Sequence, residues 1–173
     1  MAHKGIANTS ASVLRDEIKA KFNGNLAHVP DSGRGEYWVY KTSVVASAPA
    51  VLFTDDDEFL GNERTGDSVA TGDIIRWIAI KNLGYKQITK VSKTIEGIML
   101  NYTGTNPLYN GTNDAATNNI VIGPGELFVA KLNGVLVEDL KVGTCVLNNF
   151  VPSQLGTDNV AYIVAAIIDD ISA

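Results

Sequence analysis

The sequence predicts a mainly β protein: an antiparallel β-sandwich, of jelly-roll or immunoglobulin-like type, with one short helix near its start. Three observations predict it. Short apolar runs recur between turns rich in Gly, Pro and Asn, which is how strands joined by turns look in a sequence. Convincing helical periodicity occurs in one place, at Leu14, Ile18 and Phe22. A chain of 173 residues suits a single domain and buries a core without needing a disulfide or metal. A small barrel is the alternative closure of the same strands.

Residues 1–11 are small and polar and read as an extended N-terminal arm, leaving 12–173 as one sandwich domain. Ser12 can cap a helix over 12–23, with Asp16 and Glu17 near its positive end and Lys19 and Lys21 near its negative end. Asn23-Gly24 closes that helix, because glycine suits the left-handed position after a last turn. Pro30 to Gly35 is a turn, and Glu36 to Lys41 is a short aromatic strand. Val44 to Phe53 continues as strand, interrupted at Pro49, which cannot donate to a central ladder. Thr54 to Glu58 is an acidic loop, and Thr65-Gly66-Asp67 and Thr71-Gly72-Asp73 mark a hairpin or loop boundary.

Ile74 to Lys81 is apolar at nearly every position, as a central strand with cover on both faces should be. Asn82-Leu83-Gly84 turns the chain into a strand, Lys86 to Lys93, that carries lysines at near-alternate positions. Ile95 to Tyr102 is another strand, followed by a long polar loop at 101–119 containing six Asn, four Thr and two Gly. Further strands are expected at Asn119–Ile122, Glu126–Leu132, Val135–Leu140, Thr144–Asn148 and Val160–Asp169. Asn133-Gly134, between two apolar runs, is the strongest hairpin signal in the chain.

A net charge of −5 argues against general nucleic-acid binding, which needs a dense Lys/Arg surface. A charged share of 19% is low for a soluble monomer and points towards surface buried against partners. With Cys145 as the one cysteine, no internal disulfide forms, and within its apolar strand it reads as inert core. Met1 to Asn8 has no apolar stretch of signal-peptide length, and the run Val160 to Ile168 is too short for a membrane helix. The chain is therefore expected to be made as a soluble cytosolic protein.

Chemistry-bearing patterns are sparse. His3 lies in the arm and His28 in a turn-rich connection, so neither general-base candidate is placed in a pocket. No Gly-x-Ser-x-Gly elbow, His-Glu-x-x-His or phosphate-binding glycine loop occurs, and Gly123-Pro124-Gly125 fits a turn. No catalytic residue, cofactor site or metal site is assigned. Asp55-Asp56-Asp57-Glu58, with Asn62 and Glu63, supplies enough oxygens for Ca²⁺ but lacks the EF-hand spacing, which favours a solvated loop. Lys81, Lys86, Lys90 and Lys93 form the basic concentration, read either as contact with an acidic protein or as lysines guarding a sheet edge. Trp38 with Tyr37 and Tyr40, or Trp77, could form a sugar-stacking platform; Trp77 reads as core.

The stretch Gly72-Asp73-Ile74-Ile75-Arg76-Trp77-Ile78-Ala79-Ile80-Lys81-Asn82-Leu83-Gly84 carries a resemblance. With the following polar strand, the Asn/Thr-rich loop and Ile122-Gly123-Pro124-Gly125-Glu126, it resembles small β-sandwich structural proteins of tailed bacteriophage particles, especially capsid decoration (cement) proteins. The resemblance lies in the texture of the sequence, so no functional residue is carried over from it. It implies a non-enzymatic virion protein, made in the host cytoplasm and bound to the outer capsid surface, often as a trimer. Its partners would be the major capsid protein or other virion proteins, with no nucleic acid and no membrane. A tail, collar or fibre-base component and a carbohydrate-binding module are the alternatives.

Overall fold

The computed structural model describes residues 5–14, 19–28, 35–60, 67–103, 119–148 and 151–171. Its strands, in chain order, are β1 (Gly5–Leu14), β2 (Lys19–His28), β3 (Gly35–Val45), β4 (Ala50–Val51), β5 (Ile74–Asn82) and β6 (Gly97–Tyr102). They continue with β7 (Asn119–Ile122), β8 (Leu127–Leu136), β9 (Leu140–Asn148), β10 (Val151–Leu155) and β11 (Val160–Asp170). One antiparallel sheet runs β3-β11-β5-β8. The other runs β10-β9-β6-β7, with β4 also pairing to β9. A third, two-stranded sheet is the ribbon β1-β2, which joins neither.

Alternation decides which residues meet between the two larger sheets. Val39, Ile75, Ile78, Ile80, Val164 and Ile168 of the first share one apolar cluster with Ile98, Leu100, Ile122, Leu140 and Val142 of the second. The fold is mainly β and sandwich-like. Ile75, Ile78 and Ile80 are each 0% exposed, and each such burial contributes roughly 1.5–3 kcal/mol. The outward face of the first sheet has its own small cluster, in which Trp77 and Ile167 pack with Trp38, Ala79, Val129 and Ala165. This double cover explains why β5 is apolar at nearly every position.

Several expectations need correction. The helix expected over 12–23 is not found: Ser12 to Leu14 belong to β1 and Lys19 to Asn23 to β2, with 15–18 outside the described residues. The ribbon register, from Gly5 opposite His28 to Leu14 opposite Lys19, includes Gly5 to Ala11 of the expected extended arm. β-Branched Val13 with Asn23 and Gly24 gives the segment only modest helix propensity, and strand pairing overrides the four-residue stripe. Asn133-Gly134 makes no hairpin, because β8 runs through it. Ile75 faces Val135 and Trp77 faces Lys131, so the extra residues of β8 bulge opposite Arg76. Gly134 has φ +69°, a left-handed geometry that a bulge uses as readily as a turn. Lys86 to Lys93 is likewise no strand; it is a short looped-out turn joined by the isolated pair Tyr85 and Lys93.

Two buried polar residues bracket β5. Asp73, just before it, is 0% exposed and takes N–H bonds from Ala70 (2.8 Å) and Ile171 (3.1 Å) on its carboxylate. Burial pushes its carboxyl above the usual value, and those two N–H bonds act against the rise. Its carbonyl accepts the Val137 N–H at 3.0 Å, tying in the turn between β8 and β9. Asn82, the last residue of β5, is also 0% exposed. Its Nδ2 donates to the carbonyls of Glu96 (3.2 Å) and Ile122 (3.1 Å), at the start of β6 and the end of β7, and its Oδ1 accepts the Gly84 N–H at 2.8 Å. One side chain thus bonds the two sheets together. Asn82→Ala strands two carbonyls and an N–H in the interior and is expected to destabilise by at least about 3 kcal/mol in urea unfolding. A loss under about 1 kcal/mol would contradict the bridging role.

Candidate interaction surfaces

The chain after β5 builds a projecting knob. Lys86 N–H donates to the Ser92 carbonyl (2.7 Å), Lys90 N–H to Gln87 (3.0 Å) and Thr94 N–H to Gly84 (3.1 Å), so the loop is closed on itself. Lys90 turns it with φ +59°. The knob displays apolar side chains to solvent: Val91 is 75% exposed and Ile95 85%, with Ile88 also exposed. Residues 83–95 contain three lysines and no acid, in a chain of net charge −5. Of the lysines singled out in the sequence, Lys86 pairs with Asp158 at 2.6 Å, while Lys90, Lys93 and Lys81 are exposed. Because Lys86, Lys90 and Lys93 sit in this knob and Lys81 on a central strand, none of them guards a sheet edge.

Glu96 anchors the base of the knob. Its Oε1 accepts the N–H (2.8 Å) and hydroxyl (3.2 Å) of Thr157, and its Oε2 accepts the N–H of Asp158 at 3.0 Å. A side chain at Gly156 would collide with the Glu96 carboxylate and the Thr144 hydroxyl, so this close seat requires glycine. Asp158 in turn binds Lys86 and accepts the Thr94 hydroxyl at 3.2 Å. The Lys86 hydrogen bond, ahead of the smaller Thr94 bond, holds the Asp158 carboxyl below its usual range. Cys145 is buried nearby, and burial followed by the charge of Glu96 pushes its thiol up to about 11. A thiol so placed is a poor nucleophile, in keeping with an inert core position.

At the opposite end of β5 lies an open pocket of about 300 Å³. Val51, Phe53, Val69 and Val137 give it apolar walls, and Asp55 and Glu138 supply acid. Glu138 is held there by the Gly72 N–H at 3.1 Å. Asp139, its neighbour, has its carboxyl raised by burial and then by the Glu138 charge. Asp57 is engaged with Lys41 (2.6 Å) and the Thr54 N–H (2.9 Å), so the acidic loop is partly neutralised from within. Among the described residues no group of three or more His, Cys, Asp or Glu is placed to hold a metal ion; Asn62 and Glu63 lie outside them.

The aromatic residues separate. Tyr37 faces inward against Phe59, with ring centroids 5.1 Å apart. Trp38 meets Trp77 edge-to-face at 5.4 Å on the outer side of the first sheet, and Tyr40 is exposed. Trp77 is buried as expected, though in this outer cluster instead of the central core. His3 and residues 104–118 of the polar loop lie outside the described residues, and His28 closes β2. The sequence reading missed Asp73, Asn82 and Glu96. From sequence alone Asp73 and Asn82 read as turn residues and Glu96 as part of a strand, whereas Asp73 precedes β5, Asn82 ends it and Glu96 lies just before β6. No protein-family model, curated protein or solved structure matches this chain.

The lowered Asp158 pKa fixes a pH signature. Its stabilisation is fully present above the ordinary aspartate value of 3.8 and is lost as pH falls through the folded-state value. Asp158→Asn should therefore unfold at lower urea than the parent at pH 7, and the gap should narrow progressively as pH falls below 3.8 and shrink in high salt. A gap that keeps its size as pH falls would show that the pair contributes nothing through charge.

Proposed function

We propose that this is a non-enzymatic assembly protein of a virus particle. Within that class, the reading that fits best is a capsid decoration (cement) protein of a tailed bacteriophage, built as a jelly-roll or immunoglobulin-like sandwich and binding the outer capsid surface. The observation that carries this reading is the ribbon β1-β2, ten residues per strand, bonded to neither of the two larger sheets. Two-stranded ribbons are marginal alone in water and become stable on a further surface. Its register puts Ala7, Ala11 and Val13 at positions alternate to Asn8, Ser10 and Ser12, and pairs Ala11 with Phe22 and Ala7 with Leu26. Between residues 7 and 13 the apolar residues fall at one parity with Thr9 and the polar ones at the other, with Ile6 and Leu14 breaking the pattern at the ends of β1. Such a partial alternation suits an element laid against a neighbour. The mechanism is mechanical: the body spans a boundary between capsid subunits, the ribbon clamps the adjacent one, and repetition around the shell supplies avidity.

A sugar platform is less well supported, because Trp38 is already engaged with Trp77 and Tyr37 is turned inward. The test is binding to purified particles. Deleting residues 2–28 should abolish occupancy on capsids, while the melting temperature of the free protein moves by only a few degrees. Full occupancy of the truncated protein would exclude the clamp.

A further inference from the structure

We propose that the chain self-associates head to tail, the basic knob of one copy entering the acid-rimmed pocket of the next. The inference does not rest on the capsid reading, since both surfaces belong to the free protein. The knob ends β5 beyond Asn82, and the pocket borders its start at Ala70 and Thr71, so nine strand residues separate them by about 30 Å. Two different surfaces at opposite ends make a heterologous contact, which closes into a ring or extends as a filament.

The complementarity has two parts. Val91 and Ile95 are the most exposed large apolar residues among those described, at 75% and 85%. The matching recess has Val51, Thr54 and Ala70 at its mouth over a floor of the core residues Phe53, Val69 and Val137. Exposed apolar side chains held on an ordered loop are costly in water unless they have a seat. Around them, Lys90 and Lys93 carry positive charge with no acid in residues 83–95, and Asp55 and Glu138 carry negative charge at the pocket. Such pairing orients the partner and speeds encounter. The knob is already closed by the Lys86–Ser92 and Thr94–Gly84 bonds and pinned through Lys86 to Asp158, so little ordering is left for binding to accomplish.

Sedimentation of the full chain across micromolar to millimolar concentrations tests this. The weight-average mass should climb above that of a monomer, and climb less in high salt. A knob variant, Val91→Asp with Ile95→Asp, and a pocket variant, Asp55→Lys with Ala70→Lys, should each remain monomeric. Mixed one to one, they should form a heterodimer that grows no further, because the only intact knob meets the only intact pocket. Val91→Ser with Ile95→Ser replaces the knob variant if the charges unfold it. A monomeric parent throughout, association that survives either variant, or no heterodimer in the mixture would each overturn the proposal.

Discussion

The constraint on which the two sheets depend is the satisfaction of buried polar groups at both ends of β5. A strand covered on both faces gains from every isoleucine it buries, but hydrophobic contact is non-directional and does not fix which strand end meets which loop. Asn82 fixes it. Its amide spends both donors on carbonyls of the opposite sheet and its oxygen on the turn that follows, so a sliding of one sheet over the other would leave three buried groups without partners. Asp73 does the corresponding work at the start of the strand, joining the end of β11 and the turn after β8.

The surface features follow from this frame. With β5 clamped at both ends, the chain leaving Asn82 is delivered to the same place each time, and Glu96 seals the return by taking two backbone N–H groups of the 156–158 turn. The knob is therefore a rigid projection of the strand, and the acidic pocket is the corresponding recess at the far end. The ribbon β1-β2 stands outside this scheme, bonded to neither of the larger sheets.

Much of the β architecture was legible in the sequence, because strand signals depend on local alternation. The apolar run of β5 and the final run of β11 needed nothing but their own residues to be recognised. What failed did so for physical reasons. Leu14, Ile18 and Phe22 satisfy a helical stripe, yet Phe22 is also the register partner of Ala11, and only pairing chooses between them. Asn133-Gly134 announced a left-handed backbone correctly, but a bulge and a hairpin share that requirement. The bridging role of Asn82 was invisible because its partners are 14 and 40 residues away. The knob was hidden by near-alternating lysines that mimic a strand, while a left-handed Lys90 breaks it.

Native-state hydrogen exchange followed residue by residue tests the central claim most directly. If buried bonds at both ends of β5 join the sheets into one unit, amides of β5, β6, β7 and β11 should exchange through a single opening of the same, highest free energy, with β1 and β2 exchanging far faster. If β6 and β7 open at a lower free energy than β5 and β11, the sheets are separate units and the clamp does not hold them.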